Sequence, residues 1–358
     1  MAKFTEIFED VTKQGTKIPT NLYLENGLYP IIDQGQSEIA GYTDQTEGLF
    51  TDIPAIIFGD HTRIIKYVDT PCFLGADGVK LLKAKDPTAN YKYLYYALCN
   101  ADIPNTGYNR HFKWLKEIEI AECSIEEQNS IVAQFEKIDT LICLRKQQLS
   151  KLEELVKSRF IELFGNIDEC ENKLDLQDIC LKITDGSHNP PSGVEKSQNY
   201  MISSQNIHDN IIDYKDVRYL SDSDFENENK RTAIMPGDVL LTIVGAIGRS
   251  AVVKDDLNIT CQRSVCVIHP NRDKVNSIFL KYMLDSISDK IINEARGAAQ
   301  KGIYLNQVKK LQIICPSFDF QSQFATFVEQ IDKSKFEIQK SLEKLETLKK
   351  SLMQKYFG

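Results

Sequence analysis

Residues 124–165 read SIEEQNSIVAQFEKIDTLICLRKQQLSKLEELVKSRFIELFG, and residues 317–358 read SFDFQSQFATFVEQIDKSKFEIQKSLEKLETLKKSLMQKYFG. The two stretches align without a gap, and fourteen of the forty-two positions are identical. Chance or shared helical composition gives fewer matches than this. The chain therefore consists of two similar halves joined head to tail, and such a pseudo-two-fold repeat suits a partner that is itself nearly two-fold symmetric.

Each copy of the repeat is predicted to form one long helix. Neither copy contains Pro, and Gly occurs only as its last residue, where it is a common helix stop. Ser124 followed by Glu127 is a capping-box start, and Pro316 just before Ser317 marks the second start. A helix of roughly 37 residues is about 55 Å long, far more than packing inside one small domain requires.

Apolar residues recur at steps of four and three along both copies, which is typical of a coiled-coil seam. The predicted helix-pair seam comprises Ile138, Ile142, Leu149, Leu152, Val156, Ile331, Ile338, Leu342, Leu345 and Leu352. A second stripe beside it contains Leu141, Leu144, Leu155, Phe336 and Leu348. One alternative is a core helix that is merely long. Two stripes favour a helix that packs on the other long helix of the repeat and also on a further partner.

Composition limits the class of protein. With 358 residues and 42% apolar content the chain can bury two ordinary cores, and no stretch has the apolar length of a membrane span or signal peptide. We therefore expect a cytoplasmic protein. The nine cysteines contain no C-x-x-C pair and the five histidines do not cluster near them, so neither a metal site nor a disulfide framework is expected.

The net charge of −8 argues against a protein that holds nucleic acid by positive charge alone. By segment the net charge is −5 for residues 1–123, −1 for 124–165, −3 for 166–316 and +1 for 317–358. If the chain binds DNA, it must use local clusters, and a partner should supply much of the attraction to phosphate.

The segments 1–123 and 166–316 are rich in short β-branched and aromatic runs between turn residues, which predicts α+β domains with several strands each. The clearest predicted hairpin joins residues 239–244 to 249–253, and the first domain has a counterpart at residues 55–67. Gly59 then matches Gly245, and Arg63 matches Arg249. Either the arginine pairs with a surface carboxylate beside a tight turn, or it approaches a phosphate or a guanine edge.

Several of these features together resemble the specificity subunit of type I restriction-modification enzymes. They are the long-helix unit with its repeated Gln, its Ile-Asp pair and its terminal Phe-Gly, together with residues 33–42 (DQGQSEIAGY), 75–79 (GADGV), 236–241 (PGDVLL) and 297–303 (GAAQKGI). The resemblance covers essentially the whole chain in the family's order. The arrangement, and no single motif, carries it.

The resemblance implies an α+β fold in which two target-recognition domains, 1–123 and 166–316, are separated by two long helices, 124–165 and 317–358, that form an antiparallel coiled coil. Each domain would read one half of a bipartite double-stranded DNA target, and the helices would act as a spacer. The predicted helix length agrees with a spacer role, because about 55 Å exceeds one DNA turn of about 34 Å.

The resemblance also implies partners. The helices would dock methyltransferase subunits, two by expectation, and the exposed second stripe would be their docking surface. The methyltransferase core would then recruit a restriction and translocase subunit. No cofactor is expected in this chain, while S-adenosylmethionine, ATP and Mg are expected on the partner subunits.

Candidate DNA contacts are chosen by residue type and position. Residues 105–114 are the only basic-aromatic run of an acidic domain, and Asn, Arg, Lys and His can meet base edges or phosphate while an aromatic ring can wedge or stack. In the first domain the predicted contacts are His61, Arg63, Asn105, Tyr108, Asn109, Arg110, His111 and Lys113. In the second they are Ser187, His188, Gln205, Asn206, Arg249, Gln262, Arg263, Arg296 and Lys301. We expect residues 108–111 outside and Trp114 inside, and for each residue a solvated-loop reading stays open.

The chain is predicted to be non-catalytic. Asn189-Pro190-Pro191 is followed by Ser192, which cannot stack on a flipped base as an adenine methyltransferase motif requires. No G-x-G and no P-loop occur in the sequence.

Two alternatives come from other classes. One is a coiled-coil scaffold or interaction protein without sequence-specific DNA readout. The other is the recognition module of a single-chain restriction-methylation enzyme, which is disfavoured because Met1 begins directly in the first recognition domain.

Overall fold

A computed structural model of the chain describes residues 1–75, 78–208, 210–295 and 302–358. The chain forms two compact units. Unit 1 contains Met1–Gln147 and Ile338–Gly358, and unit 2 contains Gln148–Glu337. Each unit therefore combines one globular domain with part of each long helix.

The first half of the chain contains a set of short strands followed by a long helix. The strands are β1 (Ala2–Lys3), β2 (Phe8–Asp10), β3 (Tyr29–Ile32), β4 (Gly41–Thr43), β5 (Ala55–Gly59), β6 (Ile65–Val68), β7 (Phe73–Leu74), β8 (Val79–Ala84) and β9 (Glu119–Ile120). The helices are α1 (Phe4–Ile7), α2 (Tyr91–Cys99), α3 (Phe112–Leu115) and α4 (Ile125–Phe164). The predicted first hairpin is the β5–β6 pair.

Strand β5, inside the four-stranded sheet of unit 1, is buried on both faces. Strands β2, β8, β5 and β6 form an antiparallel sheet in that order, and β4, β3 and β7 form a second sheet in which β3 and β7 are parallel. Ile56 and Phe58 pack in a core with α2 and the start of α4, while Ala55 and Ile57 pack in another with Leu74. A strand covered on both faces needs a continuous apolar run, which is what β5 has.

The second half of the chain repeats this order of elements with insertions. The strands are β10 (Leu174–Asp175), β11 (Cys180–Asp185), β12 (Asn199–Ile202), β13 (Ile207–His208), β14 (Ile211–Ile212), β15 (Arg218–Tyr219), β16 (Val239–Thr242), β17 (Ser250–Val252), β18 (Asn258–Cys261), β19 (Val265–Pro270) and β20 (Gln312–Ile313). The helices are α5 (Asp222–Thr232), α6 (Ser277–Ser286), α7 (Ser288–Glu294), α8 (Leu305–Lys309) and α9 (Phe318–Phe357). Short 3-10 turns lie at Thr12–Gln14, Thr20–Leu22, Ile167–Glu169, Leu176–Ile179 and Ser204–Asn206.

The two domains share one topology. In unit 2 the four-stranded sheet has the order β11, β19, β16, β17, and the three-stranded sheet has the order β15, β12, β18 with β12 and β18 parallel. Helices α2 and α6 each follow an asparagine N-cap, Asn90 and Asn276, whose side chain accepts from the first-turn backbone. The internal repeat therefore extends from the long helices into both domains, and the α+β fold class is confirmed.

The long helices run antiparallel within each unit. In unit 1, Gln134 contacts Tyr356, Asp139 pairs with Lys349 at 2.5 Å and Lys146 with Glu346 at 4.0 Å, so partner numbers on α9 fall as those on α4 rise. In unit 2, Glu153 pairs with Lys335 at 3.4 Å, and the rings of Phe160 and Phe324 lie 5.3 Å apart.

The predicted seam residues are all at least half-buried. Ile138, Val156 and Leu342 are buried, and the half-buried members are Ile142, Leu149, Leu152, Ile331, Ile338, Leu345 and Leu352. The second stripe is exposed, with Leu141, Leu144, Leu155, Phe336 and Leu348 showing between 36% and 66% of their surface.

The helix ends belong to the domain cores, which the seam pattern did not predict. In unit 1, Phe135 stacks on Tyr96 at 4.7 Å, and Phe357 lies 5.3 Å from Tyr93. In unit 2, Phe164 packs edge-on to Phe279 at 4.9 Å. No helix within the described residues is long and apolar enough to cross a membrane.

Candidate nucleic-acid interface

The two candidate segments of the first domain meet at one place. The turn between β5 and β6 contains Asp60, which is buried, and its carbonyl oxygen accepts hydrogen bonds from the backbone N–H and Nδ1 of His111 at 2.8 and 3.0 Å. The carboxylate of Asp60 accepts the backbone N–H of Phe112 at 2.7 Å. The turn and residues 105–111 therefore form one surface, although about fifty residues separate them in the sequence.

His111 anchors this surface from the inside. Because its Nδ1 donates to the Asp60 carbonyl, its Nε2 is left to accept from the Thr106 hydroxyl, which lies 3.3 Å away. The expectation that residues 108–111 all face outward is wrong at His111, which is fully buried, whereas Trp114 is half-buried. The sequence predicted an exposed His111 because its partner Asp60 lies far away in the sequence.

The exposed side chains of this surface are aromatic, amide and basic. The ring of Tyr108 is stacked on His61 with centroids 4.6 Å apart and planes within 8° of parallel. Arg110 is exposed and has no hydrogen bond or ion pair within the described residues. Lys113 is exposed and lies 4.1 Å above the Trp114 ring.

The two asparagines of the loop are partly used within it. Asn105 accepts the Gly107 N–H at 3.2 Å, and Asn109 donates to the Thr106 carbonyl at 2.5 Å. The side-chain NH2 group of Asn105 and the side-chain oxygen of Asn109 are left for another partner. Gly107 has a φ of +78°, which favours glycine at this position.

Arg63 has a structural contact as well as a position near the surface. It closes the β5–β6 turn with a φ of +62°, and its Nη1 donates to the Ile103 carbonyl at 3.1 Å. Residues 33–42, one of the segments in the family resemblance, lie against the same turn, because Gln34 accepts from the His61 N–H at 3.2 Å. Lys66, which sequence reasoning missed, is buried nearby and donates to the Ser37 carbonyl at 2.6 Å.

Three loops of the second domain adjoin one another. The Ser187 N–H donates to the Cys261 carbonyl at 2.9 Å, and the Arg263 N–H donates to the Ser187 carbonyl at 2.8 Å. A Cβ at Gly186 would lie 1.9 Å from the Cys261 carbonyl oxygen, so this close approach requires glycine. The Gln262 N–H donates to the Ile202 carbonyl at 2.9 Å, which brings the loop containing Gln205 alongside.

The predicted contacts on these loops differ in accessibility. Gln205, Arg263 and His188 are exposed, and Gln262 is half-buried. Ser187 is buried. Asn206 is also buried, and its amide accepts the Ser203 N–H at 2.9 Å and donates to the carbonyls of Asp213 and Asp216. Asn206 therefore holds the loop together in this conformation.

A buried carboxylate organises two side chains beside these loops. Asp185 is buried; it pairs with Arg231, and its Oδ2 lies 3.0 Å from Nε2 of His188. Arg231 also donates its Nε–H to the Asp185 carbonyl at 3.0 Å. Sequence reasoning missed Arg231, because it lies at the end of α5 with no local motif around it. The Asp185-Gly186-Ser187-His188 run was the only available signal.

Arg249 lies on the β16–β17 turn and lines a cavity of about 840 Å³. Its guanidinium has no hydrogen bond or ion pair within the described residues. Lys157 and His208 line the same cavity. Lys281 is buried beside it, 2.6 Å from Asp285; burial lowers the pKa of the lysine, and Asp285 opposes that change. Arg296 and Lys301 lie outside the described residues.

This chemistry suits a polyanion with hydrogen-bonding edges. Exposed arginines can meet phosphate or guanine, and free amide halves can meet adenine. Within the ranges described above, no group of three or more His, Cys, Asp or Glu residues could hold a metal ion.

Known proteins share both the sequence pattern and the fold. The family described as type I restriction modification DNA specificity domain matches residues 1–154 and 193–350. The type I restriction enzyme EcoBI specificity subunit of Escherichia coli is 24% identical over 235 residues, which cover 64% of this chain and 47% of that protein. The alignment thus spans about half the length of that relative.

Two solved structures resemble the whole chain. The type I restriction-modification S subunit from M. genitalium matches with a TM-score of 0.62 at 16% identity, over 99% of this chain and 95% of that one. A chain solved in work on complex assembly and conformational transition of the type I R-M system matches with a TM-score of 0.56 at 15% identity, over 99% and 95%. At such identities these structures show a common fold. Together with the match to both halves of the sequence, they establish that the chain belongs to the type I restriction modification DNA specificity domain family.

Proposed function

We propose that this protein is the sequence-specific DNA-binding subunit of a type I restriction-modification complex. The observation that carries the proposal is the repeated topology, in which each half presents exposed basic and amide side chains on adjoining loops beside an equivalent hairpin turn. The chain itself does no chemistry in this proposal, since it selects the DNA on which its partners act.

Each domain reads one half of a bipartite target, and the helix pair sets the number of unread base pairs between the halves. This division follows from the internal repeat, because two similar readers on one chain suit two half-sites. The loops around Tyr108 and Arg110 serve the first domain. Those around His188, Arg249 and Arg263 serve the second.

The helices dock methyltransferase subunits, two per chain, through the exposed second stripe. Several exposed apolar residues along the same two helices favour a protein partner. A restriction and translocase subunit joins through the methyltransferase core, and S-adenosylmethionine, ATP and Mg belong to these partners. The complex works in the cytoplasm, where its DNA is.

Adenine methylation tests the proposal directly. The chain is co-expressed with a methyltransferase subunit of its own host, and modified adenines are mapped across the genome. A split motif with a fixed gap is the expected result. Methylation at one continuous short motif would mean that a single domain reads DNA.

A scaffold role is the second candidate, and the exposed stripe favours it equally. It predicts a stable complex with the methyltransferase and no sequence-dependent methylation. The same experiment therefore separates the two functions, provided that complex formation is verified by co-purification.

A further inference from the structure

Tyr108 presents an aromatic ring to solvent to an unusual degree. Its side chain is 87% exposed, the largest value among the large apolar side chains of the described residues. A single exposed apolar residue is ordinary on a protein surface. Here the loop around it is also held in one conformation, which needs a separate explanation.

The loop is ordered by hydrogen bonds on both sides of the ring. Before it, the Asn105 carboxamide accepts the Gly107 N–H, and after it the Asn109 N–H donates to the Gly107 carbonyl at 2.8 Å. Buried His111 ties the end of the loop to the β5–β6 turn. The conformational entropy of this loop is therefore lost before any ligand arrives, which favours binding.

His61 supports the ring from behind. Its imidazole is nearly parallel to the tyrosine ring, and its Nδ1 lies 3.2 Å from the Asn109 carbonyl, which fixes the orientation of the imidazole. One face of the tyrosine is thus covered, and the opposite face is open. An open, supported aromatic face beside an unpaired arginine is suited to a flat, uncharged ring next to a phosphate.

We propose that the ring of Tyr108, supported by His61, enters a base step of the DNA held by the first domain and bends the duplex there. This proposal rests on the proposed DNA-binding function and adds a mode of binding to it. Apolar side chains inserted between base steps unstack them in part and kink the duplex. Arg110, the next exposed cation, meets the adjacent phosphate.

The inserted Tyr108 ring would respond to how easily the DNA bends at that step more than to the identity of the bases. Every base has a π-face, so stacking tolerates many sequences, whereas flexible pyrimidine–purine steps bend at a lower cost than others. The equivalent turn of the second domain, residues 245–248, reads Gly-Ala-Ile-Gly and has no ring in the place of His61. The second half-site is therefore an internal control.

The test uses the full chain in complex with its methyltransferase and short duplexes that carry the mapped target. Donor and acceptor dyes flank one half-site at a time, so that energy transfer reports bending at that half-site. Wild type should bend the first half-site. Tyr108→Ala should remove most of this bend and weaken binding roughly tenfold.

Three variants distinguish stacking from other contacts. Tyr108→Phe should keep the bend, because the ring and not the hydroxyl does the work. Arg110→Ala should keep the bend but make the dependence of log K on log salt shallower by about one phosphate contact, while Tyr108→Ala leaves that slope unchanged. Tyr304→Ala, which truncates a tyrosine that is 70% exposed in unit 2, should change neither.

An unchanged bend in Tyr108→Ala would overturn the wedge, and so would an equal loss in Tyr108→Phe, which would point to a hydroxyl–phosphate bond. Retained reading of the second half-site shows that a variant is folded. Failure of the DNA-binding function itself is seen separately, as the absence of any split motif in the methylation map.

Discussion

At the scale of single residues, the repeated glutamine has a definite structural task. Gln128 and Gln321 each donate their side-chain amide to the carbonyl just before their helix, at Cys123 (3.1 Å) and Pro316 (2.8 Å). Gln321 is fully buried and also accepts the Asn276 N–H at 2.8 Å, which joins the start of α9 to the N-cap of α6. The donor contact to the preceding carbonyl is shared by both glutamines, and Gln321 uses its amide as donor and acceptor together.

Gln321→Glu should therefore destabilise the protein more than Gln128→Glu. The buried carboxylate can still accept the Asn276 N–H, but it loses the donor to the Pro316 carbonyl and places a charge at a fully buried position, which costs about 2 kcal/mol or more. Gln128 is only half-buried, so water can replace its contact. Urea unfolding of the two variants measures the difference. Equal losses would contradict the tethering role of Gln321.

Asp185 positions the side chains of Arg231 and His188 in the second domain without facing outward itself. Asp185→Asn removes the charge that holds Arg231 and His188, so both side chains become free to adopt other rotamers. Affinity for the second half-site should fall roughly tenfold, the value of one charge-assisted contact. Competition between duplexes mutated in one half-site or the other measures this. Equal weakening on both would show a general loss of folding instead.

Polar residues could be predicted to face solvent only where no distant partner competes for them. Arg110, Arg249 and Arg263 are exposed and have no ion pair among the described residues, which for Arg249 favours the second of the two interpretations left open by the sequence. His111 and Asn206 are also polar loop residues, yet their polar atoms are used inside the protein. Only the tertiary structure separates these two groups.

At the scale of elements, the periodicity of the sequence predicted the long helices almost to the residue. The observed bounds, Ile125–Phe164 and Phe318–Phe357, lie one residue inside the predicted segments at each end. The pattern could not show that Phe135, Phe164 and Phe357 enter domain cores. A heptad reports which residues share a face, while the partner of that face is set by long-range packing.

Replacing seam and stripe leucines should give opposite results. Leu342→Asp places a charge at a position that is 6% exposed, so we expect unit 1 to lose several kcal/mol of stability. Leu149→Asp at a half-buried position should cost less, and each variant should impair recognition of the full bipartite site more than of one half-site. Unfolding curves and binding to full and half duplexes measure both effects.

Leu348→Asp is the matched control on the same helix. Leu348 is 47% exposed, so the stability should change by no more than about 0.5 kcal/mol. If the stripe docks the methyltransferase, this variant should co-purify with less of it. If Leu348→Asp co-purifies with as much methyltransferase as the wild type does, the stripe is not part of the docking surface. For Leu342→Asp, an unchanged affinity for the bipartite site would refute the spacer role of the helices.

At the scale of the whole molecule, the repeat is deeper in structure than in sequence. Sequence identity was visible only in the helices and one hairpin turn, yet the orders β2-β8-β5-β6 and β11-β19-β16-β17 are the same. Parallel pairs such as β3–β7 join strands that are far apart in sequence, and a local pattern carries no signal of such pairing. The paired helices of the two halves keep a recognisable sequence periodicity. The two domains keep the same strand order although their surface loops differ extensively in sequence.

The acidic charge of the molecule constrains how it can hold DNA. With a net charge of −8, the chain alone has only local clusters of cations, such as those containing Arg110, Arg249 and Arg263, to offer to phosphate. Each phosphate contact contributes about −0.9 to the slope of log K against log salt. We therefore expect a shallow slope for the chain alone, of roughly −3, and a much steeper slope for its complex with methyltransferase subunits.

Anisotropy titrations between about 50 and 200 mM salt measure both slopes. A duplex with both half-sites scrambled serves as the control, since phosphate contacts remain there while base contacts are lost. If the partner supplies most of the phosphate attraction, the scrambled duplex should bind the complex with a slope close to that of the target. An equally steep slope for the isolated chain would mean that its own loops neutralise the backbone, against the acidic balance of both domains.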